Sequence, residues 1–571
     1  MILQPIINLV AICAKKGIEN AILCPGSRCA PLTLAFSRHP DIHTRTISDE
    51  RSAGFIALGM AQQLEKPVVL VCTSGSAALN FYPAVAEAFF QQIPLLILTA
   101  DRPPEWIDQW DGQTIFQPEV YGKHVKKSFQ FPDSFANEEQ AWHANRIVNE
   151  AIILSKQFPP GPVHINIPLR EPFYPEVGEE LVFPENPKVV TLSPSNPVLG
   201  EDSLIHIKDR LQSVKKLLIV AGQQKPDSKI QTLLDQLSKN QKVVIVTDTI
   251  SNLQSDHTIC LHDHWLGDDH IQLDLVPDLI ISFGKSVISK SLKLFLRKTE
   301  ASHWHVQADG HAKDTFQRLT RILACTPVNF LNWLEQNLPN QDGEYFLRWN
   351  SLEKIIQQAL YSAFEKAAFG EYPALHFLLK KIPPFSKIHV ANSMAVRYLN
   401  FLGKRNQEII CNRGTSGIDG STSTAVGCTF TTKEPVTLIT GDMAFFYDRN
   451  AFWHNYTMPN LRIIILNNHA GGIFRLIEGP ARQPELEEFF ETRQKLTARN
   501  LAVEFGFTYT LAKNQEELEL AMSNFYTPGI HPKILEIESG SANNATIFKQ
   551  VKAYISSELN KSEGQKPQFQ I

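Results

Sequence analysis

At about 150 residues per domain, 571 residues leave room for roughly three to four domains, and 43% hydrophobic with 20% charged residues is ordinary for a globular chain. Fifty-five basic side chains against 59 acidic ones give a net charge of −4, so there is no electrostatic reason to expect a nucleic-acid partner. No apolar run reaches the roughly 18 residues of a membrane span, so no integral membrane segment is expected.

The chain opens on MILQPIINLVAICAKKG, with no basic region ahead of its apolar part, which reads poorly as a signal peptide. Its apolar spacing predicts an amphipathic helix ending near Gly17. Short apolar runs follow at 21–24, 67–75, 94–103 and 162–168. Others lie at 216–222, 242–248, 277–284 and 303–310, and then at 387–393, 408–414, 435–442, 461–468 and 532–539. Continuous apolar strands alternating with helical segments point to parallel sheets covered on both faces, in doubly wound α/β domains. Six prolines between Pro172 and Pro197 mark one boundary, and the turn-rich LPNQDGEY at 338–345 marks a second. Three domains are expected, at 1–180, 190–338 and 345–571. The polar tail SSELNKSEGQKPQFQI is expected to fray. The eight cysteines form no CxxC pair and most sit in apolar runs, the usage of buried thiols in a reducing, cytoplasmic compartment.

In open parallel sheets the ligand lies at the carboxyl ends of the strands. The run VTLIT ends in Gly441-Asp442, and RIIIL ends in Asn467-Asn468, with 24 residues between Asp442 and Asn467. A carboxylate, a carboxamide and a backbone carbonyl on one rim are hard oxygen ligands suited to Mg²⁺ carrying a diphosphate. The glycine lets backbone approach phosphate oxygens. This GD…NN spacing is that of thiamine diphosphate enzymes, which also need a glutamate from a second domain. The SDER run places Glu50 after a short strand and before a helix rich in small residues.

Further pieces narrow the branch: CPGSR (24–28), TSGSAALNFYPAVAEA (73–88), LTADRPPE (98–105), GQTIFQP (112–118), ANSMAVR (391–397), NRGTSGIDGSTSTA (412–425), GDMAFFYD (441–448) and NNHAGGIF (467–474). With them the chain resembles the 2-succinyl-5-enolpyruvyl-6-hydroxy-3-cyclohexene-1-carboxylate synthase family of the menaquinone pathway along nearly its whole length. The middle domain matches least, apart from GKSVISKSL (284–292). The alternative is another thiamine diphosphate-dependent 2-oxo acid decarboxylase, or an acetolactate synthase-like ligase.

The resemblance implies three thiamine-enzyme α/β domains, thiamine diphosphate, and Mg²⁺ or Mn²⁺ as cofactors. It implies 2-oxoglutarate and isochorismate as substrates, and a homodimer or dimer of dimers. Glu50 and Gln113 would be catalytic, with Glu50 on the cofactor's pyrimidine ring. Metal ligands would be Asp442, Asn468 and the Ala470 carbonyl. Other cofactor contacts would come from Thr73, Gly75, Asn392, Ser393, Ile418, Gly441, Met443, Ala444 and Gly471. Both substrates are dicarboxylates, so Arg28, Arg102, Lys290, Arg397 and Arg413 would meet them, aided by Ser27 and Ser393. Ser27 is expected to cap the helix after the PGSR turn. Ile418 would be the apolar wedge under the cofactor, and Ile473 and Phe474 would wall the substrate side. The chain departs from the family at His469-Ala470, at Gly112, where asparagine is common, and at Ser291, where a basic residue is common.

Overall fold

The computed structural model describes residues 4–564 apart from 136, 177 and 268–272. Three parallel sheets follow one another along the chain. The first holds β1 (Asn20–Leu23), β2 (His43–Thr46), β3 (Val68–Cys72), β4 (Leu95–Asp101), β5 (Ser128–Gln130) and β6 (Val163–Pro168), in the order β2-β1-β3-β4-β6-β5. The second holds β7 (Leu217–Ala221), β8 (Val244–Thr247), β9 (Leu279–Phe283), β10 (Ser302–Val306) and β11 (Leu319–Leu323), in the order β11-β10-β9-β7-β8. The third holds β12 (Lys387–Val390), β13 (Glu408–Ile410), β14 (Val436–Gly441), β15 (Leu461–Asn467), β16 (Thr508–Ala512) and β17 (Lys533–Glu538), in the order β13-β12-β14-β15-β17-β16. The α/β fold expected from the apolar runs is therefore present, in three doubly wound sheets.

The first and third sheets have the same strand order, and the second shares its first four positions. In each, the opening strand lies between the second and the third, so the winding direction reverses beside it. That reversal is the switch point at which open α/β sheets bind ligands. Central strands such as β4 and β15 are buried at every residue. No side of them meets water, which explains their unbroken apolar sequence.

Helix Glu50–Leu64 of the first domain crosses helix Ser421–Thr429 of the third at glycines. A Cβ on Gly59 would run into the carbonyl of Thr424, and one on Gly427 into the carbonyl of Ile56. Only glycine lets the two backbones approach this closely. Glu87, buried on helix Tyr82–Gln91, adds a polar clamp. Its carboxylate accepts from the Gly414 and Thr415 amides at 2.7 and 2.6 Å and from the Thr415 hydroxyl at 2.6 Å.

Two expectations need correction. The helix after PGSR starts at Ala30, with Cys29 at the capping position and no side-chain cap, so Ser27 is not its cap. Pro31 explains the shift: lacking an N–H, it belongs in the first helical turn. The tail does not fray from residue 556, because helix Ser541–Gly564 runs through the first nine of its residues. Ile555 and Leu559 are buried and hold that helix to the core. Residues 565–571 of the tail lie outside the described residues. The N-terminal helix spans Gln4–Lys15 and stops before Gly17, which has φ +78°. All eight cysteines are buried and free. Among the described residues no helix is long and apolar enough to cross a membrane.

Candidate active site

β14 runs straight into helix Asp442–Tyr447, which sets the Asp442 side chain at the carboxyl end of a central strand. Gly441 is in register with Leu466 of β15, so the two strand ends are level and Asn468 is the first residue past β15. Beyond Gly441 the space that a Cβ would occupy is open, with no atom within 4 Å. A ligand can therefore reach the backbone there.

Asp442 is 1% exposed, and burial pushes its pKa up to about 6. Gln494 Nε2 donates to Asp442 Oδ2 at 2.6 Å. Asn467 turns inward, donating to Glu536 at 2.6 Å and to the Leu496 carbonyl at 3.0 Å. Half-buried Asn468 is left for the rim. Its Oδ1 accepts from the Ala470 amide at 3.0 Å, and its Nδ2 donates to Glu371 Oε1 at 2.6 Å. His469 makes the turn between them at φ +61°. That left-handed conformation is one in which asparagine and histidine are both enriched, so the His469 departure suits the turn. Carboxylate, carboxamide oxygen and the Ala470 carbonyl form a donor set that fits a hard divalent cation. A bound cation would also offset the desolvation that raises the Asp442 pKa.

Next to this rim, Asn392 and Ser393 follow the end of β12, ahead of the helix Met394–Phe401. The Asn392 carboxamide is engaged within the protein: it donates to the Asn412 and Gly417 carbonyls, both at 2.7 Å, and accepts from Arg413 Nη1 at 2.9 Å. Ser393 stands at φ +71°, and its carbonyl accepts from Arg397 Nη1 at 2.7 Å. Burial first, and then Arg413, lowers the pKa of Arg397 below its ordinary value. Arg413 Nε is buried without a hydrogen-bond partner. Among the described residues neither guanidinium forms an ion pair with a carboxylate. The planar fork of a guanidinium is matched to carboxylate and phosphate oxygens.

In the first domain, the ends of β1 and β3 meet at Gly26, where a Cβ would run into Thr73. Gln113, exposed at φ +57°, lays its backbone against Gly75. Arg28 is buried, donates to the Leu169 carbonyl at 2.9 Å and sits over the Phe173 ring. Arg102 pairs with Asp111 at 3.1 Å and donates to the Gly112 carbonyl at 2.7 Å. Ser27, which precedes Arg28 in the chain, is exposed. Glu50 is the first residue of its helix, which Asp49 caps by accepting from the Arg51 and Ser52 amides. Burial raises the Glu50 pKa.

Lys290 is exposed at the start of helix Lys290–Lys298. Lys293, one turn later, instead lines a cavity of about 1550 Å³ between the domains together with Arg413. Ile418 is exposed on the loop after β13. Met443 and Ala444 lie in the first turn after Asp442. Gly471 donates to the Glu491 carbonyl at 2.7 Å, and the next turn, Gly472–Leu476, carries Ile473 and Phe474, both half-buried.

Family models place this architecture. Residues 8–125 match "Thiamine pyrophosphate enzyme, N-terminal TPP binding domain", and residues 202–389 match "Middle domain of thiamine pyrophosphate". A 2-succinyl-5-enolpyruvyl-6-hydroxy-3-cyclohexene-1-carboxylate synthase of Cytophaga hutchinsonii is 46% identical over 97% of this chain and 99% of its own length. The chain belongs to this family. Synthases of the same name from Flavobacterium johnsoniae and Porphyromonas gingivalis are each 37% identical over 95% of this chain, covering 97% and 96% of their own lengths.

Among the family motifs, the third domain brings Gly441, Asp442, Asn468 and Ala470 to one rim, with Arg397 in the helix Met394–Phe401 that follows β12 and Arg413 in the loop after β13. The first domain gathers Ser27, Thr73, Gly75 and Gln113 at its own switch point. Sequence reasoning missed Gln494, Glu371 and Glu87, and also Gln117, which is fully buried and bonds Gly75, Ala100 and Asn166. Glu87 carried a signal, as an acid within the apolar run FYPAVAEA, and Gln117 stood within the GQTIFQP motif; Gln494 and Glu371 carried none.

Proposed function

We propose that the chain, with thiamine diphosphate and Mg²⁺ or Mn²⁺, decarboxylates 2-oxoglutarate and adds the four-carbon unit 1,4 to isochorismate. The products would be 2-succinyl-5-enolpyruvyl-6-hydroxy-3-cyclohexene-1-carboxylate and carbon dioxide, in a cytoplasmic step of menaquinone biosynthesis. The observation that carries this reading is the Arg397–Arg413 pair: two guanidiniums that, among the described residues, form no ion pair with a carboxylate, beside the Asp442 rim and suited to a reaction whose substrates are both dicarboxylates.

Thiamine diphosphate supplies the electron sink that lets carbon dioxide leave. The protein's part is placement and charge balance. Asp442, Asn468 and the Ala470 carbonyl would hold the metal and, through it, the diphosphate. Glu50, with its carboxyl partly desolvated, would hold a proton against the pyrimidine ring nitrogen. Gln113 would donate near the reacting carbon. Ile418 would support the cofactor, while Ile473 and Phe474 exclude water from the substrate side.

Mass spectrometry of the product formed from both acids tests the proposal. The adduct is expected only when 2-oxoglutarate and isochorismate are present together. Carbon dioxide release from another 2-oxo acid without adduct would instead identify a simple decarboxylase. Arg397→Ala and Arg413→Ala are each expected to raise KM for a dicarboxylate by roughly 10–150-fold, the loss of a charge-assisted hydrogen bond of about 1.5–3 kcal/mol. If both variants handle both acids as the parent does, the two guanidiniums are structural.

A further inference from the structure

The Asn468 carboxamide can serve a cation only with its oxygen turned to the rim, and a carboxamide is nearly symmetric in shape. Something must therefore choose its orientation. Two contacts do so. The Ala470 amide is a donor and requires the oxygen on its side, at 3.0 Å. Glu371 supplies an acceptor on the opposite side, 2.6 Å from Nδ2. Glu371 opens helix Glu371–Leu379, 97 residues before Asn468, and is only 2% exposed. It is itself fixed at three points. Its amide donates to Asn544 Oδ1 at 3.1 Å, its Oε2 accepts from the Tyr398 hydroxyl at 3.2 Å, and its Oε1 is the atom that meets Asn468. Asn544 is held in turn by Ser539 Oγ at 2.8 Å.

We infer that Glu371 is a positioning residue for the metal site: its buried carboxyl takes the Asn468 NH₂ group and so holds the Asn468 oxygen toward the cation. A flipped Asn468 would set its oxygen against the Glu371 carboxyl and its NH₂ against the Ala470 amide, two repulsive contacts that leave buried polar groups unsatisfied. Partners of this kind, one bond removed from a metal, set affinity through the ligand they orient. The inference rests on the reading of Asp442 and Asn468 as metal ligands and adds a residue outside every motif that identified the family.

The test titrates Mn²⁺ into the full-length protein with saturating thiamine diphosphate, reading free Mn²⁺ by electron paramagnetic resonance. Glu371→Met, similar in volume but with no acceptor for the NH₂ group, is expected to weaken Mn²⁺ binding about 10–100-fold. Glu371→Gln keeps an acceptor oxygen for Asn468 and is expected to stay within about threefold of the parent. Should the Met variant fail to fold, Glu371→Asp takes its place, since it keeps the acid but withdraws the oxygen from reach, and a loss in the same range is expected. Parental affinity in the acceptor-less or shortened variant, or an equal loss in Glu371→Gln, overturns the assignment. Asp442→Ala in the same titration separates the two levels. If it too binds Mn²⁺ normally, the metal-site reading has failed. If it loses Mn²⁺ while Glu371→Met does not, only the role of Glu371 falls.

Discussion

Glu50→Gln is expected to lower turnover about 10²–10⁴-fold, the usual cost of removing a positioned proton-transfer group. The fold should survive, because the helix start does not depend on this side chain. Asp49 makes the cap, accepting from the Arg51 and Ser52 amides at 2.9 and 3.2 Å. Arg51 and Asp49 also tie the turn to the third domain, through the Tyr447 carbonyl at 2.9 Å and Asn450 at 2.7 Å. What Glu50 itself gives the helix is a first-turn charge worth about 0.3–1 kcal/mol, against a stability of about 5–15 kcal/mol for a typical domain. Glutamine keeps the shape and can still hydrogen-bond a ring nitrogen, but it cannot exchange a proton with it. Turnover should therefore fall far more than thermal stability or thiamine diphosphate affinity. Near-parental turnover in a folded, cofactor-saturated Glu50→Gln protein would remove Glu50 from the mechanism.

The parts of the molecule legible in the sequence are those where burial is symmetric. The apolar runs correspond to strands because both faces of a central parallel strand are covered, as in β4 and β15. The strands that escaped notice, β5, β11 and β16, all lie at sheet edges and are partly exposed, so their sequences lack the continuous apolar signal. At the rim, Asp442 and Asn468 were legible because strand ends bear ligands and the two positions belong to one motif. Gln494 and Glu371 were not, for a physical reason. Each acts through a single hydrogen bond to a residue 52 or 97 positions away, and such a bond imposes no periodicity or composition on its neighbourhood. Asn392 shows the reverse limit. The motif marked it as a cofactor contact, and nothing in the sequence showed that its carboxamide also bonds the 411–417 loop.

Subunit mixing gives the sharpest test of how the site is assembled. On the proposed reading, one cofactor meets Glu50 of the first domain and Asp442 with Asn468 of the third. Within a single chain the Glu50 turn is anchored to Tyr447 and Asn450, past the far end of the short helix that Asp442 begins. Among the described residues no hydrogen bond or ion pair joins Glu50 to Asp442 or Asn468. The first and third sheets have one strand order, so a two-fold axis can set the first domain of each chain against the third domain of its partner, giving two equivalent sites. Asp442→Ala alone should lose thiamine diphosphate binding, as it removes the one anionic ligand, and Glu50→Gln alone should be nearly inactive. When the two are mixed and re-equilibrated with excess cofactor and Mg²⁺, each heterodimer should carry one site with both defects and one with neither. Equal mixing should then restore about a quarter of the parental activity, from half the dimers with half their sites intact. If the mixture stays inactive while parental subunits treated identically recover, Glu50 and Asp442 of one chain serve the same cofactor, and the site does not span a dimer interface.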